Sequence, residues 1–335
     1  MAIKTDKKIE RPVPVLIAGW PGMGNVGIGA ADYMRRKLDA SVCARMDVSR
    51  YFIPDAIEVD QGIGRMPSPP VHNIYLIDEP PLLIFEGETQ VGGQSATAIA
   101  EELLDFAQQH GVQTVYTGAA FASPVSYREP VKVFGVATSE RLRETFAIHG
   151  VQPLVEGRIS GLNGLLLGLA GVRDMAAACF LATMPHYAVN TANPKSSKAI
   201  IQVLERILNT SVDMTELDQA ITETDSMLGE FESRVNAALQ ALREQTAARS
   251  EERPESGPGE QDEEQPEPHM LMDRIEKLFE VVQQDRSQAT RLKDELDRWG
   301  LYKLYEDRFL DLFQKEKHSR GRSAEPESPG TQPGE

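Results

Sequence analysis

Glycines at positions 22, 24 and 27 follow the apolar run Val15-Leu16-Ile17-Ala18-Gly19, and Asp47 lies twenty residues beyond the last of them. The spacing G-x-G-x-x-G with a later acid is that of a dinucleotide site, where a strand ends in a tight turn and a pyrophosphate meets a helix N-terminus. Here Trp20 and Pro21 stand between the strand and the first glycine. Proline fixes φ and removes an N–H, which favours a wider loop. An acid at the position of Asp47 is also common by chance in so acidic a chain, so no nicotinamide cofactor is expected. Two readings of Gly22, Gly24, Asn25 and Gly27 remain open. The loop offers backbone N–H groups to an anion, or its glycines let the following helix pack closely on a neighbour. Two further glycine-bearing turns stand beside it, GETQVGGQS at 87–95 and SGLNGLLLGLAG at 160–171.

No catalytic set accompanies these loops, and the catalytic residues stay unassigned. Ser95 lacks a G-x-S-x-G context. Arg128 and His186 are candidates for a cleft that also holds Asn25, although His186 reads more readily as an ordinary loop histidine. The two cysteines, Cys43 and Cys179, are far apart in apolar contexts and form no C-x-x-C. They read as buried small hydrophobes. The six histidines are scattered without metal-ligand spacing, so no metal site is expected.

Those loops need a scaffold, and the first 210 residues supply its pattern. Apolar runs at 13–18, 41–46, 74–78, 82–86, 114–117, 132–137 and 177–182 read as strands. Helical periodicity appears at 27–38, 93–110, 139–149, 162–170 and 194–208. Several of the strands are apolar almost throughout, as when helices cover both faces of a sheet. This alternation predicts a three-layer α/β/α domain over 1–211.

Beyond 212 the pattern changes. Met214, Leu217, Ile221, Thr224, Leu228, Phe231 and Val235 begin a heptad seam, assigned to a helix over 212–246. A second seam from Leu271 to Trp299, with Asp285 as its polar position, opens a helical segment over 270–317. The extension is read as coiled-coil-like, with packing of each helix on the α/β domain as the alternative. Between the seams, 247–269 is rich in Pro, Gly and Glu and is expected to be disordered, as is the tail 318–335. Leu301, Tyr305, Phe309, Leu312 and Phe313 continue an apolar face and are the candidate interaction surface.

The formal net charge of −16 argues against nucleic acid as a partner. The densest basic cluster, at 315–322, lies in a segment without apolar periodicity. The polar opening MAIKTDKKIERP lacks the apolar core of a signal peptide, and the apolar stretch at 162–172 is too short to span a bilayer. A cytoplasmic protein with no membrane association is expected.

Five segments occur in a fixed order: GWPGMGNVGIGAADYM, LLIFEGETQ, TVYTGAAFASPVSYREPVKVFGVATS, SGLNGLLLGLAG and MPHYAVNTANPKSSKAIIQVLERIL. Together, over about residues 10–215, they resemble the proteasome assembly chaperone family, of the type named after the second such chaperone, in its archaeal and bacterial branch. The resemblance implies a fold similar to nucleoside phosphorylases and related hydrolases, closed homo-oligomers and protein partners, and it does not imply catalysis. Archaeal members that dock on proteasomes end in a hydrophobic residue, a tyrosine and one final residue. This chain ends Gln332-Pro333-Gly334-Glu335, which puts docking by such a tail in doubt. The leading expectation is a non-enzymatic assembly chaperone or interaction scaffold. The alternative is a small-molecule-binding enzyme of phosphorylase-like fold that uses the glycine-rich loop for an anion.

Overall fold

A computed structural model of the chain describes residues 3–52, 54, 56–251 and 267–314. These divide into two compact units, with the boundary after Leu228.

The first unit is built on a nine-stranded sheet. Its strands are β1 (Ile3–Thr5), β2 (Val15–Gly19), β3 (Ser41–Asp47), β6 (Val71–Ile77), β7 (Leu82–Glu86), β8 (Thr114–Ser123), β9 (Val133–Ala137), β10 (Gln152–Pro153) and β11 (Ala176–Pro185). A separate hairpin pairs β4 (Glu58–Asp60) with β5 (Ile63–Arg65). The sheet order is β1-β3-β6-β7-β2-β8-β11-β9-β10. Its centre, β7-β2-β8-β11, is parallel throughout. The flanks are antiparallel at β1-β3, β3-β6, β6-β7 and β11-β9.

Successive residues of the central strands feed two cores. In β2, Leu16 and Ala18 point to one face and Ile17 to the other; in β7, Leu83 and Phe85 oppose Leu82 and Ile84. The two-residue period forces this division. Helices α2 (Gly93–Gln109) and α4 (Gly161–Val172) cover the first face. Helices α1 (Val26–Lys37), α3 (Glu140–Ala147), α5 (Pro194–Leu208) and the start of α6 (Thr215–Glu251) cover the second. The α/β/α sandwich expected from the strand and helix periodicities is therefore present. The sequence reading lacked β1, the hairpin and β10, each of three residues or fewer.

From Leu217 onward the first heptad seam lies on one helix, α6. Leu217 and Leu228 enter the core of the first unit, and Phe231 packs its ring edge on Tyr305 in the second. The second seam is not carried by one continuous helix. It breaks into α7 (Pro268–Gln284), α8 (Ala289–Arg298) and α9 (Tyr302–Gln314). Asp285 is extended at φ −137°, ψ 98°, and its carboxylate accepts the Ser287 N–H at 3.0 Å. It caps a turn. Gly300, at φ +66°, separates α8 from α9. Helix α6 runs through Glu251 and α7 opens at Pro268, so helix occupies both margins of the linker expected over 247–269. Its centre, 252–266, and the tail expected over 318–335 lie outside the described residues.

Candidate functional site

Strand β2 ends at Gly19, and the chain turns through Trp20, Pro21 and Gly22 into α1. Trp20 is fully buried, its ring 4.6 Å from that of Phe85. Gly87 makes room for it: a Cβ there would lie 2.2 Å from Trp20 Cδ1. Gly24, at φ +57°, is buried and tied on both sides, its N–H to Val189 O and its carbonyl to the Asn193 N–H, each at 2.8 Å. Asn25 takes a left-handed conformation at φ 48° as α1 begins. A Cβ on Gly27 would stand 2.0 Å from the carbonyl oxygen of Gly118, so α1 and β8 meet backbone to backbone. Gly24 and Gly27 thus serve close packing. Gly22 differs, having an extended backbone and open space where its side chain would be.

Asp47 stands apart from this loop. Strands β7 and β6 intervene between β2 and β3, and three strand spacings amount to about 14 Å. Its carboxylate accepts the Ser49 N–H at 2.9 Å, and bonding to Ser49 holds its pKa below the usual carboxylate value. The ribose contact of a dinucleotide fingerprint has no counterpart in this geometry.

The three glycine-bearing turns, far apart in sequence, converge on one cleft of about 590 Å³. The first two follow β2 and β7, parallel neighbours whose C-terminal ends share one edge of the sheet, the edge at which open α/β sheets bind ligands, and the third, at the start of α4, is bonded to both. Two side chains stitch the turns together. Asn163 of α4 accepts the Trp20 N–H at 3.1 Å and donates its amide to Trp20 O at 3.3 Å. Gln90 donates to Pro21 O at 2.7 Å and accepts the Leu162 N–H at 3.0 Å. The Thr117 hydroxyl anchors α4 from the sheet side by donating to Asn163 O at 3.1 Å.

Gly22 and Gly27 line this cleft; Asn25, Arg128 and His186 are not among its lining residues. Arg128 is exposed, its guanidinium 4.8 Å from the Tyr127 ring centroid. His186 opens a single helical turn after β11. Among the residues that line this cleft, Arg158 is the charged side chain. Gln90 and Asn163 lay inside segments the sequence reading had marked for their glycines. Arg158, in Val-Glu-Gly-Arg-Ile, carried no local signal.

The apolar face proposed as an interaction surface turns out to be mostly interior. Leu301, Tyr305 and Phe309 are buried in the second unit, and Tyr305 lies 5.9 Å from Phe279, ring to ring. Leu312 is half-buried and Phe313 exposed. Phe231 of α6 also packs on Tyr305, so the face is covered by its own unit.

Both cysteines are buried, and burial pushes each thiol up to about 11. Among the described residues no cluster of His, Cys, Asp and Glu side chains could hold a metal. None of their helices is long and apolar enough to cross a membrane.

The fold has clear relatives among solved structures. PbaB of Pyrococcus furiosus, described as an archaeal proteasome activator, is 25% identical, with a TM-score of 0.59 over 68% of this chain and 97% of that one. A PAC2 family protein from Streptomyces avermitilis is 22% identical, with a TM-score of 0.55 over 65% of this chain and 95% of that one. A proteasome-assembly chaperone homologue from Mycobacterium tuberculosis is 21% identical, with a TM-score of 0.56 over 64% and 94%. The last two speak for the fold alone. No curated protein matches the sequence. The sequence pattern of the PAC2 family matches residues 16–232, which takes in the whole sandwich from β2 through α5 and the first half of α6: the chain belongs to the PAC2 family.

Proposed function

We propose that this protein binds other proteins and assists assembly or activation of a multi-subunit complex of the proteasome kind. The observation that carries this reading is the match to PbaB, which extends over nearly all of that proteasome activator. The β4–β5 hairpin adds support. Ile57, Val59, Ile63 and Met66, on and beside it, are all more than half exposed, and a two-stranded hairpin is only marginally stable in water by itself. Exposed apolar residues gathered in one place mark interaction surfaces. In this reading the protein is a cytoplasmic homo-oligomer, and chemistry is not required of it.

The test is reconstitution with proteasome α and β subunits from the source organism, followed by native mass spectrometry and peptidase assay. Complex formation with the subunits, together with faster or fuller assembly, is expected. The hairpin variant Val59→Asp with Ile63→Asp should weaken it. Unchanged assembly with no complex at any stage would overturn the reading. A second reading, a small-molecule-binding enzyme using the glycine-rich loop, is favoured by one observation, the cleft at the C-terminal ends of the parallel strands.

A further inference from the structure

We propose that the cleft beside Gly22 binds a small organic carboxylate with an apolar body. At about 590 Å³ it falls within the roughly 300–1,000 Å³ of small-molecule sites. Its floor is the C-terminal half of β8, with Leu181 of β11 beside it. Three of the four β8 residues there, Ala119, Ala120 and Ala122, are alanines. Ala119 faces the same side as α2 and α4, and a larger side chain there would fill the space.

The polar groups of the cleft are few and unequal. Gln90 and Asn163 have their amide groups committed to the backbone of the surrounding turns, so they shape the walls. Arg158 and Ser160 are left. Arg158 is exposed and has no carboxylate partner among the described residues. Ser160 precedes α4 without a side-chain capping bond. The chain carries 51 acidic residues, yet none of them lines the cleft. Arg158 is therefore a fork of donors facing a largely apolar space, suited to a planar, singly charged acceptor. A phosphate monoester carries nearly twice that charge and three acceptor oxygens, more than one arginine and one hydroxyl satisfy. The ligand chemistry that fits is a carboxylate at one end and hydrocarbon or an aromatic ring at the other. This site is independent of the proposed role in assembly.

The test is calorimetric titration of the full chain with octanoate, indole-3-acetate and phenyl phosphate. Saturable binding of at least one carboxylate, tighter than that of phenyl phosphate, is expected. Arg158→Gln should weaken it about tenfold or more, the scale of a lost charge-assisted hydrogen bond. Gly22→Leu should weaken it as well, by filling the mouth of the cleft. Its backbone is extended, and no atom lies within 4 Å of the added Cβ, so the fold accepts the side chain. Thermal melts matching the wild type confirm that both variants are folded. Absence of carboxylate binding, equal binding in wild type and both variants, or tighter binding of phenyl phosphate would each overturn the proposal.

Discussion

The turns around the cleft and the helical second unit are held together in different ways. The cleft turns rely on a few directed contacts: two side-chain amides bonded to loop backbone, and glycines where backbones touch. The second unit relies on spread-out apolar burial, with Leu271, Ile275, Phe279, Leu296 and Leu301 all nearly inaccessible. Its ionic contacts are anchors at the margin of that core. Arg308 forks onto the buried carboxylate of Glu276, and Glu295 accepts the Trp299 indole N–H at 2.8 Å. Directed contacts fix a shape and fail abruptly. Distributed burial tolerates change and fails by degrees.

The sharpest way to break this comparison is Gly27→Val. The new Cβ would occupy the place of the Gly118 carbonyl, and a backbone atom cannot step aside as a flexible side chain does. We expect a loss above about 4 kcal/mol, seen as insoluble protein or an early first transition in urea. A wild-type midpoint would refute the close approach. In the second unit, Phe279→Ala should cost about 3–5 kcal/mol, with the first unit's unfolding unmoved. A shift of both transitions would show that the units do not unfold separately. Asn163→Ala comes next, at about 1–3 kcal/mol for each buried group of Trp20 left unpaired. Solvent access to Trp20, read by acrylamide quenching, should rise; unchanged quenching would place the anchor elsewhere.

A smaller effect follows from His72, which is fully buried and accepts the Glu88 N–H. Burial holds its imidazole below the ordinary 6.5. The unfolded chain takes up a proton that the fold resists, so stability falls as pH drops through 6.5 toward the folded value. His72→Asn should flatten that slope, and an equal slope in both proteins would remove His72 as its source. The smallest effect belongs to Gly22→Ala, within about 0.5 kcal/mol of wild type, since its Cβ meets nothing. A large loss there would erase the distinction drawn among the three glycines.

The sequence revealed most of the scaffold because its signals are local. The run Leu82–Glu86 is short and apolar, and Pro194–Leu208 carries its apolar residues at helical spacing between Asn193, whose side chain accepts the Ser196 N–H, and Asn209 at φ 49°. The second seam misled because spacing alone cannot see a cap: Asp285 fits a heptad and also ends a helix. At the cleft, the glycines at 22–27, 87–95 and 160–171 were each visible. Their meeting depends on β7 falling beside β2 in the sheet and on the start of α4 reaching both turns, long-range choices that no local pattern encodes. Arg158 matters through that meeting alone, so it could not be singled out beforehand.

The contact between Gly27 and Gly118 also has an evolutionary consequence. Crowding between two side chains can usually be relieved by a second change that shrinks one of them. Here both partners are already glycine, and each would bring its added carbon against the backbone of the other, at 2.0 Å in one direction and 3.0 Å in the other. No smaller residue exists to offer as compensation. A lineage carrying this fold can leave the pair only by sliding α1 along β8, which would drag the adjoining turn, and with it the wall of the cleft, to a new place. Selection that preserves the cleft therefore freezes two positions ninety-one residues apart, of which Gly27 lines the cleft and Gly118 does not.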